Sequence, residues 1–134
     1  MYERIYGMKY LLDTNVLIWC FNNPTYLPQK VLNIINNKEN SFCISIISLW
    51  EIVIKLCINK LDSSITLKSL RDIIKLKNID ILPIKQKHLN KNLSLQMLHK
   101  DPFDRLLISI AISEKLPFIT SDKDIHQYNV ECIW

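Results

Sequence analysis

Short apolar runs alternate with longer helical stretches along this 134-residue chain, and that alternation restricts its possible folds more than any other feature. Strands separated by helices are typical of βαβ units, in which the sheet is parallel and is covered on both faces. We therefore predict an α/β fold with a central, mainly parallel sheet of about five strands. The runs with the length and composition of strands are KYLL at 9–12, FCIS at 42–45, IDIL at 79–82, PFIT at 117–120 and VECI at 130–133.

The stretches between these runs differ in how much apolar surface they carry. Residues 66–78 place leucine and isoleucine on one face and lysine on the other, which predicts an amphipathic surface helix. Residues 48–57 and 102–113 are instead apolar nearly all round, so these helices are expected to be covered by the sheet and by a second surface. Trp19 and Trp50 lie on apolar helix faces and are predicted to be core residues.

Length and composition favour one globular domain spanning residues 1–134. Hydrophobic residues make up 49% of the chain, and Gly7 is the only glycine, so no Gly-rich linker divides it. The apolar runs at 46–50 and 106–112 are well short of the roughly 18 residues that a membrane span needs. No secretory signal precedes Asp13, and a cytoplasmic protein is expected. The four cysteines lie in apolar stretches without a C-x-x-C pair, which predicts reduced core residues.

Acidic side chains follow the predicted strands or open the helices behind them. Asp13 directly follows the first strand, Glu51 comes six residues after the second, and Asp104 lies in the first turn of a predicted helix. Asp122 and Asp124 follow the fourth strand. In a parallel α/β fold, the carboxyl ends of the strands share one rim with the helix N-termini, and ligand sites lie there. We therefore predict that these acids converge.

Taken one at a time, the same acids also fit ordinary roles at helix starts. Asp13 belongs to a residue type that caps helices well. Ser48 and Glu51 have the spacing of a capping box, which would begin a helix at Ser48 and place Glu51 in its first turn. Asp101 fits an N-cap, and Asp104 fits a first-turn acid favoured by the helix dipole. Both interpretations stay open for each acid.

A cluster of carboxylates needs a compensating positive charge. Two carboxylates about 5 Å apart repel by about 3 kcal/mol at an effective dielectric constant of about 20. Lys55 lies one helical turn after Glu51 and can pair with it, whereas Arg105 points around the helix from Asp104. A hard divalent cation answers the repulsion better, because Mg²⁺ binds carboxylate oxygens and bridges to substrate phosphates. The hypothesis is an Mg²⁺ or Mn²⁺ site for phosphodiester hydrolysis.

Within this site, the predicted roles follow from side-chain length and position. Asp13 and Asp104 are the predicted direct metal ligands. Glu51 and Asp122 bind the metal through water, or orient the attacking water as general base. Asp124 is a further candidate. Hydrogen bonds to the carboxylates are predicted from the neighbouring polar residues Thr14, Asn15 and Ser121.

Four internal stretches and the end of the chain carry a family resemblance: LLDTNVLIW, SLWEIVIK, DPFDRLLISIA, ITSDKDIHQY and VECIW. In this order and spacing they resemble the PIN domain, a family of metal-dependent ribonucleases. They are most similar to the VapC-type toxins of bacterial toxin–antitoxin pairs. The resemblance runs from about Met8 to Trp134.

The resemblance implies a three-layer α/β/α fold with an Mg²⁺ or Mn²⁺ site. It also implies endoribonuclease activity on single-stranded RNA, often on tRNA or another structured RNA, within a homodimer held inactive by a cognate antitoxin. The net charge of +4 is a weak indication of a polyanionic partner, which solubility explains equally well. The family acids fall on Asp13, Glu51, Asp104 and Asp122, with Asp124 as an addition.

Two other functions compete with the nuclease interpretation. The first is a catalytically silent PIN-like module that binds RNA or protein, and the presence of all four acids argues against it. The second is a phospho-acceptor receiver domain with Asp13 as acceptor, which requires a paired acid before the acceptor strand and a lysine ending a late strand. Tyr10, Leu11 and Leu12 precede Asp13, and the strand PFIT leads to Ser121, so neither requirement is met.

Three features keep a structural and a functional interpretation side by side. His99 lies two residues before Asp101 and either contacts RNA or stabilises its loop. The helices that are apolar all round either expose a dimer seam or antitoxin groove, or lie in a thick core under the loop at 59–66. Residues 1–7 precede the resemblance and are interpreted as a short leader or an upstream start choice.

Overall fold

Five parallel strands form the centre of the computed structural model, which describes residues 7–62 and 64–134. They are β1 (Lys9–Leu12), β2 (Ser41–Ser45), β3 (Asp80–Leu82), β4 (Phe118–Ile119) and β5 (Cys132–Ile133). Hydrogen bonds join them in the order β3-β2-β1-β4-β5, and each pairing is parallel. Each predicted run overlaps one of these strands, so the predicted parallel α/β fold is confirmed.

Helices connect the strands as crossovers, which parallel pairing requires. The α-helices are α1 (Thr14–Asn22), α2 (Gln29–Asn36), α3 (Ile46–Cys57), α4 (Leu67–Leu76), α5 (Gln86–Ser94) and α6 (Pro102–Glu114). The helices predicted at 48–57, 66–78 and 102–113 correspond to α3, α4 and α6. Two short 3₁₀-helices, Pro24–Tyr26 and Ile125–Gln127, lie in the connections.

Two hydrophobic clusters lie on opposite faces of the sheet, because successive strand residues point to opposite sides. Tyr10 and Leu12 of β1 belong to the first cluster, with buried residues of α1, α2 and α4. Leu11, between them, belongs to the second, with buried residues of α6. The same alternation separates Ile44 from Cys43 in β2. A layer of helices therefore covers each face, which confirms the three-layer arrangement.

Helix α3 begins one turn earlier than the capping box predicts. Its N-cap is Ser45, whose hydroxyl accepts a hydrogen bond from the Ile47 amide at 3.1 Å. The prediction of a helix start at Ser48 is therefore wrong, and Glu51 lies in the second turn rather than the first. The physical reason is that Ser45 also ends β2, so the chain turns from strand to helix without a linker.

The two helices that are apolar all round are covered to different extents. Arg105 and residues 107–111 of α6 are buried. Helix α3 leaves Trp50 55% exposed, so the prediction that Trp50 is a core residue is wrong. Trp19 packs partly buried against the first cluster, as does Leu61 of the loop at 59–66, while Ile65 of that loop is buried in it. The loop therefore thickens this core, but it leaves part of α3 uncovered.

Three further expectations concern cysteines, membrane spans and the N-terminus. Cys43 is buried, but Cys57 is exposed at the end of α3, so the core prediction is wrong for Cys57. Among the described residues, no helix combines the length and the hydrophobicity that crossing a membrane requires. Residues 1–6 of the predicted leader lie outside the described part of the chain.

Candidate active site at the carboxyl edge of the sheet

Asp13 stands where β1 ends and α1 begins, and both of its carboxylate oxygens accept hydrogen bonds. Its Oδ1 accepts from the Thr14 amide at 2.7 Å, and its Oδ2 accepts from the Thr120 hydroxyl at 2.7 Å. Thr120 directly follows β4, which lies beside β1 in the sheet. Only 7% of Asp13 is exposed. These two bonds replace part of the solvation that a buried carboxylate loses.

Thr14 joins α1 to α3 through its hydroxyl group. Its Oγ1 lies 2.7 Å from Glu51 Oε1 and 2.9 Å from Ser48 Oγ. Because a hydroxyl has one hydrogen, the consistent arrangement has Thr14 donating to the carboxylate and accepting from Ser48. Thr14 directly follows Asp13, so this bond brings Glu51 to the rim where Asp13 lies.

Lys55 makes the predicted ion pair with Glu51 one turn earlier on α3. Its Nζ lies 3.6 Å from Glu51 Oε2. We expect Lys55→Ala to lower the free energy of unfolding by about 0.3 kcal/mol, as for other partly exposed helix pairs. Because Thr14 holds the other oxygen of Glu51, any catalytic activity of the site should change less than about twofold. Urea unfolding and an activity assay measure the two effects, and a large loss of activity in a folded variant would contradict this role.

His99 contacts the other two acids of the predicted site. Its Nε2 lies 3.1 Å from Asp104 Oδ2 and 3.0 Å from Asp122 Oδ2. Its Nδ1 accepts a hydrogen bond from the Asp101 amide at 3.1 Å. An imidazole nitrogen that accepts carries no hydrogen, so the neutral ring has its hydrogen on Nε2. The bond from the Asp101 amide agrees with the interpretation in which His99 stabilises its loop, whereas its contact with two acids was not predicted from the sequence.

Thr120 connects the two pairs of acids. Besides donating to Asp13, its Oγ1 accepts from the Asp122 amide at 3.1 Å. Asp122 Oδ1 in turn accepts from the Asp124 amide at 2.9 Å. The rim is therefore one hydrogen-bonded network, in which each acid of the predicted set contacts a fixed polar neighbour.

The charges of these acids act on one another. The pKa of Asp13 is raised by burial, and the charges of Glu51 and Asp122 add to the rise while hydrogen bonds from Thr120 and Thr14 oppose it. Burial raises the pKa of Asp104 to about 7, and the nearby charges of Asp13, Asp101 and Asp122 act in the same direction. The hydrogen bonds through Thr14 and Thr120 bring Asp13, Glu51 and Asp122 to the same rim of the sheet.

Asp104 and Asp122 have pKa values that move in opposite directions. Burial alone would raise the pKa of Asp122, but hydrogen bonds from His99 and from the Asp124 amide lower it below the ordinary value. Near neutral pH, Asp122 is therefore ionised, while Asp104 retains much of a proton. Burial lowers the pKa of His99, whereas the bond to Asp122 and the charge of Asp104 raise it overall. In either charge state of His99, Nε2 carries a hydrogen and donates.

The donor set fits a hard divalent cation. Four carboxylates supply the oxygen ligands that Mg²⁺ and Mn²⁺ prefer, and Asp104 Oδ1 has no donor within the described residues. His99, Asp122 and Asp124 also offer ligand atoms within 4.8 Å of one another. His99 Nε2 is nevertheless a hydrogen-bond donor here, because the Asp101 amide occupies Nδ1. The candidate metal ligands are therefore the carboxylates and not the imidazole.

Other predicted site residues lie elsewhere in the network or outside it. Asn15 is exposed on α1, and neither it nor Ser121 makes a side-chain hydrogen bond within the described residues. Arg105 does not pair with Asp104, because its Nη1 donates to the Gln96 carbonyl at 2.8 Å, beyond the end of α5. Asp124 is exposed, and its Oδ1 accepts from Gln127 Nε2 at 3.3 Å. Asp101 is the N-cap of α6, as predicted, accepting from the Phe103 amide at 2.9 Å.

Sequence reasoning missed three polar residues of the network. Thr120 takes the place expected of Ser121, because the last residue of the run PFIT, not the residue after it, points to Asp13. Ser48 supports Thr14 instead of capping a helix. Tyr128 holds the loop of His99 through its hydroxyl group. The position of Thr120 at the end of a strand run is a usable sequence signal, but nothing in the local sequence indicates the roles of Ser48 and Tyr128.

A family model described as the PIN domain matches residues 10–131. Among solved structures, VapBC2 from Rickettsia felis bound to a DNA fragment from their promoter has a TM-score of 0.70 and 23% identity, over 94% of this chain and 98% of that chain. DNA-bound VapBC from Salmonella typhimurium has a TM-score of 0.67 and 18% identity, over 94% of this chain and 97% of that chain. VapBC-5 from Mycobacterium tuberculosis, of the VapBC family of toxin–antitoxin systems, has a TM-score of 0.61 and 18% identity, over 95% of this chain and 98% of that chain. At these identities the similarity is one of fold. No curated protein shows a significant sequence match.

Proposed function

The chain belongs to the PIN domain family, and from this premise we propose that it is an Mg²⁺- or Mn²⁺-dependent endoribonuclease that hydrolyses RNA phosphodiester bonds. The observation that carries the proposal is the network at the carboxyl edge of the sheet. There burial and the charges of Glu51 and Asp122 raise the pKa of Asp13, and burial with the charges of Asp13 and Asp122 raises the pKa of Asp104 to about 7. Such an arrangement is poorly stable without a cation and well suited to holding one.

Each acid has a proposed role that follows from its contacts. Asp13 and Asp104 are the direct metal ligands, because both side chains are short, Asp13 is buried and Asp104 is partly buried, and Asp104 Oδ1 has no donor within the described residues. Glu51 and Asp122 hold the metal through water or orient the water that attacks the phosphate. A bound divalent cation supplies positive charge that neutralises the cluster and polarises the phosphate. Thr14, Thr120 and His99 keep the carboxylates in place by hydrogen bonds.

The proposed biological role is that of a VapC-type toxin paired with an antitoxin protein. The VapBC structures with which this chain shares its fold support this role, as does the match to the PIN domain model. An exposed apolar strip on α3, formed by Ile46 and Trp50, supplies surface for contact with an antitoxin or with a second copy in a homodimer. The proposed substrate is tRNA or another structured RNA with a single-stranded target, and the proposed site of action is the cytoplasm.

The test of the function compares purified wild type with Asp13→Asn on single-stranded RNA and on tRNA. Wild type is expected to cleave with Mn²⁺ and to lose cleavage when EDTA removes the metal, whereas Asp13→Asn should be inactive in both conditions. Asp72→Asn is the matched control, because Asp72 is an exposed acid on α4 that pairs with Lys68 at 3.2 Å. It should cleave like wild type. Equal, metal-independent signals from wild type and Asp13→Asn would end the nuclease proposal and leave a silent binding module.

A further inference from the structure

The hydroxyl group of Tyr128 organises the loop between α5 and α6. It donates to the Gln96 carbonyl at 2.8 Å and accepts from the Leu98 amide at 3.0 Å and the His99 amide at 2.8 Å. The Tyr128 ring belongs to the second hydrophobic cluster and is 7% exposed. One buried phenol therefore satisfies three backbone groups in a segment that has no regular secondary structure of its own.

This segment holds the His99 side chain at two points. Tyr128 fixes the backbone of His99, and the Asp101 amide fixes Nδ1 of the ring. The ring has one remaining nitrogen, Nε2, and it lies within 3.1 Å of Asp104 Oδ2 and 3.0 Å of Asp122 Oδ2. Because its backbone and its ring are both anchored, the imidazole is held in place as a donor to Asp122 Oδ2, and Asp104 Oδ2 lies 3.1 Å from the same nitrogen.

We infer that Tyr128 and His99 are positioning residues of the metal site, an inference that rests on the proposed function. His99 holds one oxygen of Asp104 and one of Asp122 side by side, which leaves the other oxygens and the remaining acids to bind the cation. Tyr128 acts one step further away, by setting the position of His99. Loss of either residue lets two like-charged carboxylates separate, and the affinity for the cation falls.

His88 provides a matched comparison in the same chain. Its Nδ1 accepts from the Lys85 amide at 3.0 Å, and its Nε2 lies 2.9 Å from Glu114 Oε1. The bonding pattern is that of His99, but the carboxylate lies at the end of α6 and not among the four acids. A change at His88 therefore removes the same pattern of imidazole hydrogen bonds, but at a place away from the proposed site.

The experiment measures the dissociation constant for Mn²⁺ by calorimetry with the full chain. Tyr128→Phe and His99→Leu are each expected to weaken Mn²⁺ binding by about tenfold to a hundredfold, as changes behind metal ligands usually do. His99→Gln keeps an N–H donor near the position of Nε2 and should retain most of the affinity. His88→Leu should bind Mn²⁺ like wild type. Tyr10→Phe, at a buried tyrosine of the first hydrophobic cluster, should do so too.

A second readout separates positioning from general damage to the fold. In cleavage assays, Tyr128→Phe should lower kcat at fixed Mn²⁺ and leave KM for RNA within about twofold, and excess Mn²⁺ should restore part of the rate. Circular dichroism verifies folding, and His99→Leu tests the inference without disturbing the tyrosine. Wild-type affinity for Mn²⁺ in folded Tyr128→Phe or His99→Leu would overturn the inference alone. If the wild-type chain itself binds no Mn²⁺, the proposed function falls together with the inference.

Discussion

Asp104→Asn is expected to abolish RNA cleavage and, in the absence of metal, to make the protein more stable at pH 8. The first effect follows from its proposed role, because loss of a direct ligand should cost more than about a hundredfold, the upper range for changes behind ligands. The second follows from burial and from the neighbouring charges, which raise the pKa of Asp104 to about 7. A buried carboxylate with that pKa destabilises the fold whenever it is ionised.

The dependence on pH has a definite sign. The folded state holds the proton of Asp104 up to about pH 7, whereas the unfolded chain releases it near the ordinary pKa of 3.8. The unfolded state therefore binds fewer protons at this group between these values, and the contribution of Asp104 to the stability of the metal-free wild type falls as the pH rises from about 4 to 7. Asparagine is neutral throughout. The advantage of Asp104→Asn should thus be absent near pH 4 and complete above pH 7, where it reaches at most about 4 kcal/mol.

Urea unfolding in EDTA at pH 4, 6 and 8 measures this difference. Addition of Mn²⁺ at pH 8 should reduce the advantage of Asp104→Asn, because metal stabilises wild type by about 2.7 kcal/mol at a hundredfold excess over the dissociation constant and stabilises Asp104→Asn less. Asp72→Asn serves again as control, since its exposed carboxylate should show neither effect. If Asp104→Asn were less stable than wild type at pH 8 in EDTA, the carboxylate would not be under the electrostatic strain described.

The strands and the placement of Asp13 could be predicted because both depend on local sequence. The strand-like run KYLL ends directly before Asp13. Because side chains alternate between the two faces of a strand, Leu11 enters one core while Tyr10 and Leu12 enter the other. The start of α3 could not be predicted with the same certainty, because Ser45 and Ser48 are equally competent caps. The choice is made by tertiary structure, since Ser48 is required by Thr14.

The supporting part of the site has no sequence pattern at all. Tyr128 and His99 are 29 residues apart, and only the packing of the connection after β4 against the loop before α6 brings them together. The exposure of Trp50 also could not be predicted from the sequence. Its apolar neighbours predict burial, but whether this face of α3 is covered depends on which other elements pack against it. Within the described residues, its aromatic contact is Phe103, at 5.2 Å between ring centroids.

Arg105→Ala is expected to cause the largest loss of stability among the changes considered. The Arg105 side chain enters the fold beside α5 with the residue 9% exposed. Its Nη1 donates to the Gln96 carbonyl at 2.8 Å, and its Nη2 lies 3.5 Å from the Asn92 and Leu95 carbonyls. The guanidinium therefore satisfies carbonyl groups at the C-terminal end of a helix, where the helix dipole also favours a cation.

Alanine would remove the charged donor from these carbonyls and leave the Gln96 carbonyl with the Tyr128 hydroxyl alone, and a charge-assisted hydrogen bond is worth about 1.5–3 kcal/mol. We expect Arg105→Ala to lower the free energy of unfolding by about 3 kcal/mol in urea titrations without metal. Arg105→Lys keeps the charge but not the planar fork, so it should recover only part of the loss. Arg71→Ala, at an exposed arginine of α4, should change stability by less than about 0.5 kcal/mol. A loss below about 1 kcal/mol for Arg105→Ala would mean that water replaces the guanidinium at the end of α5.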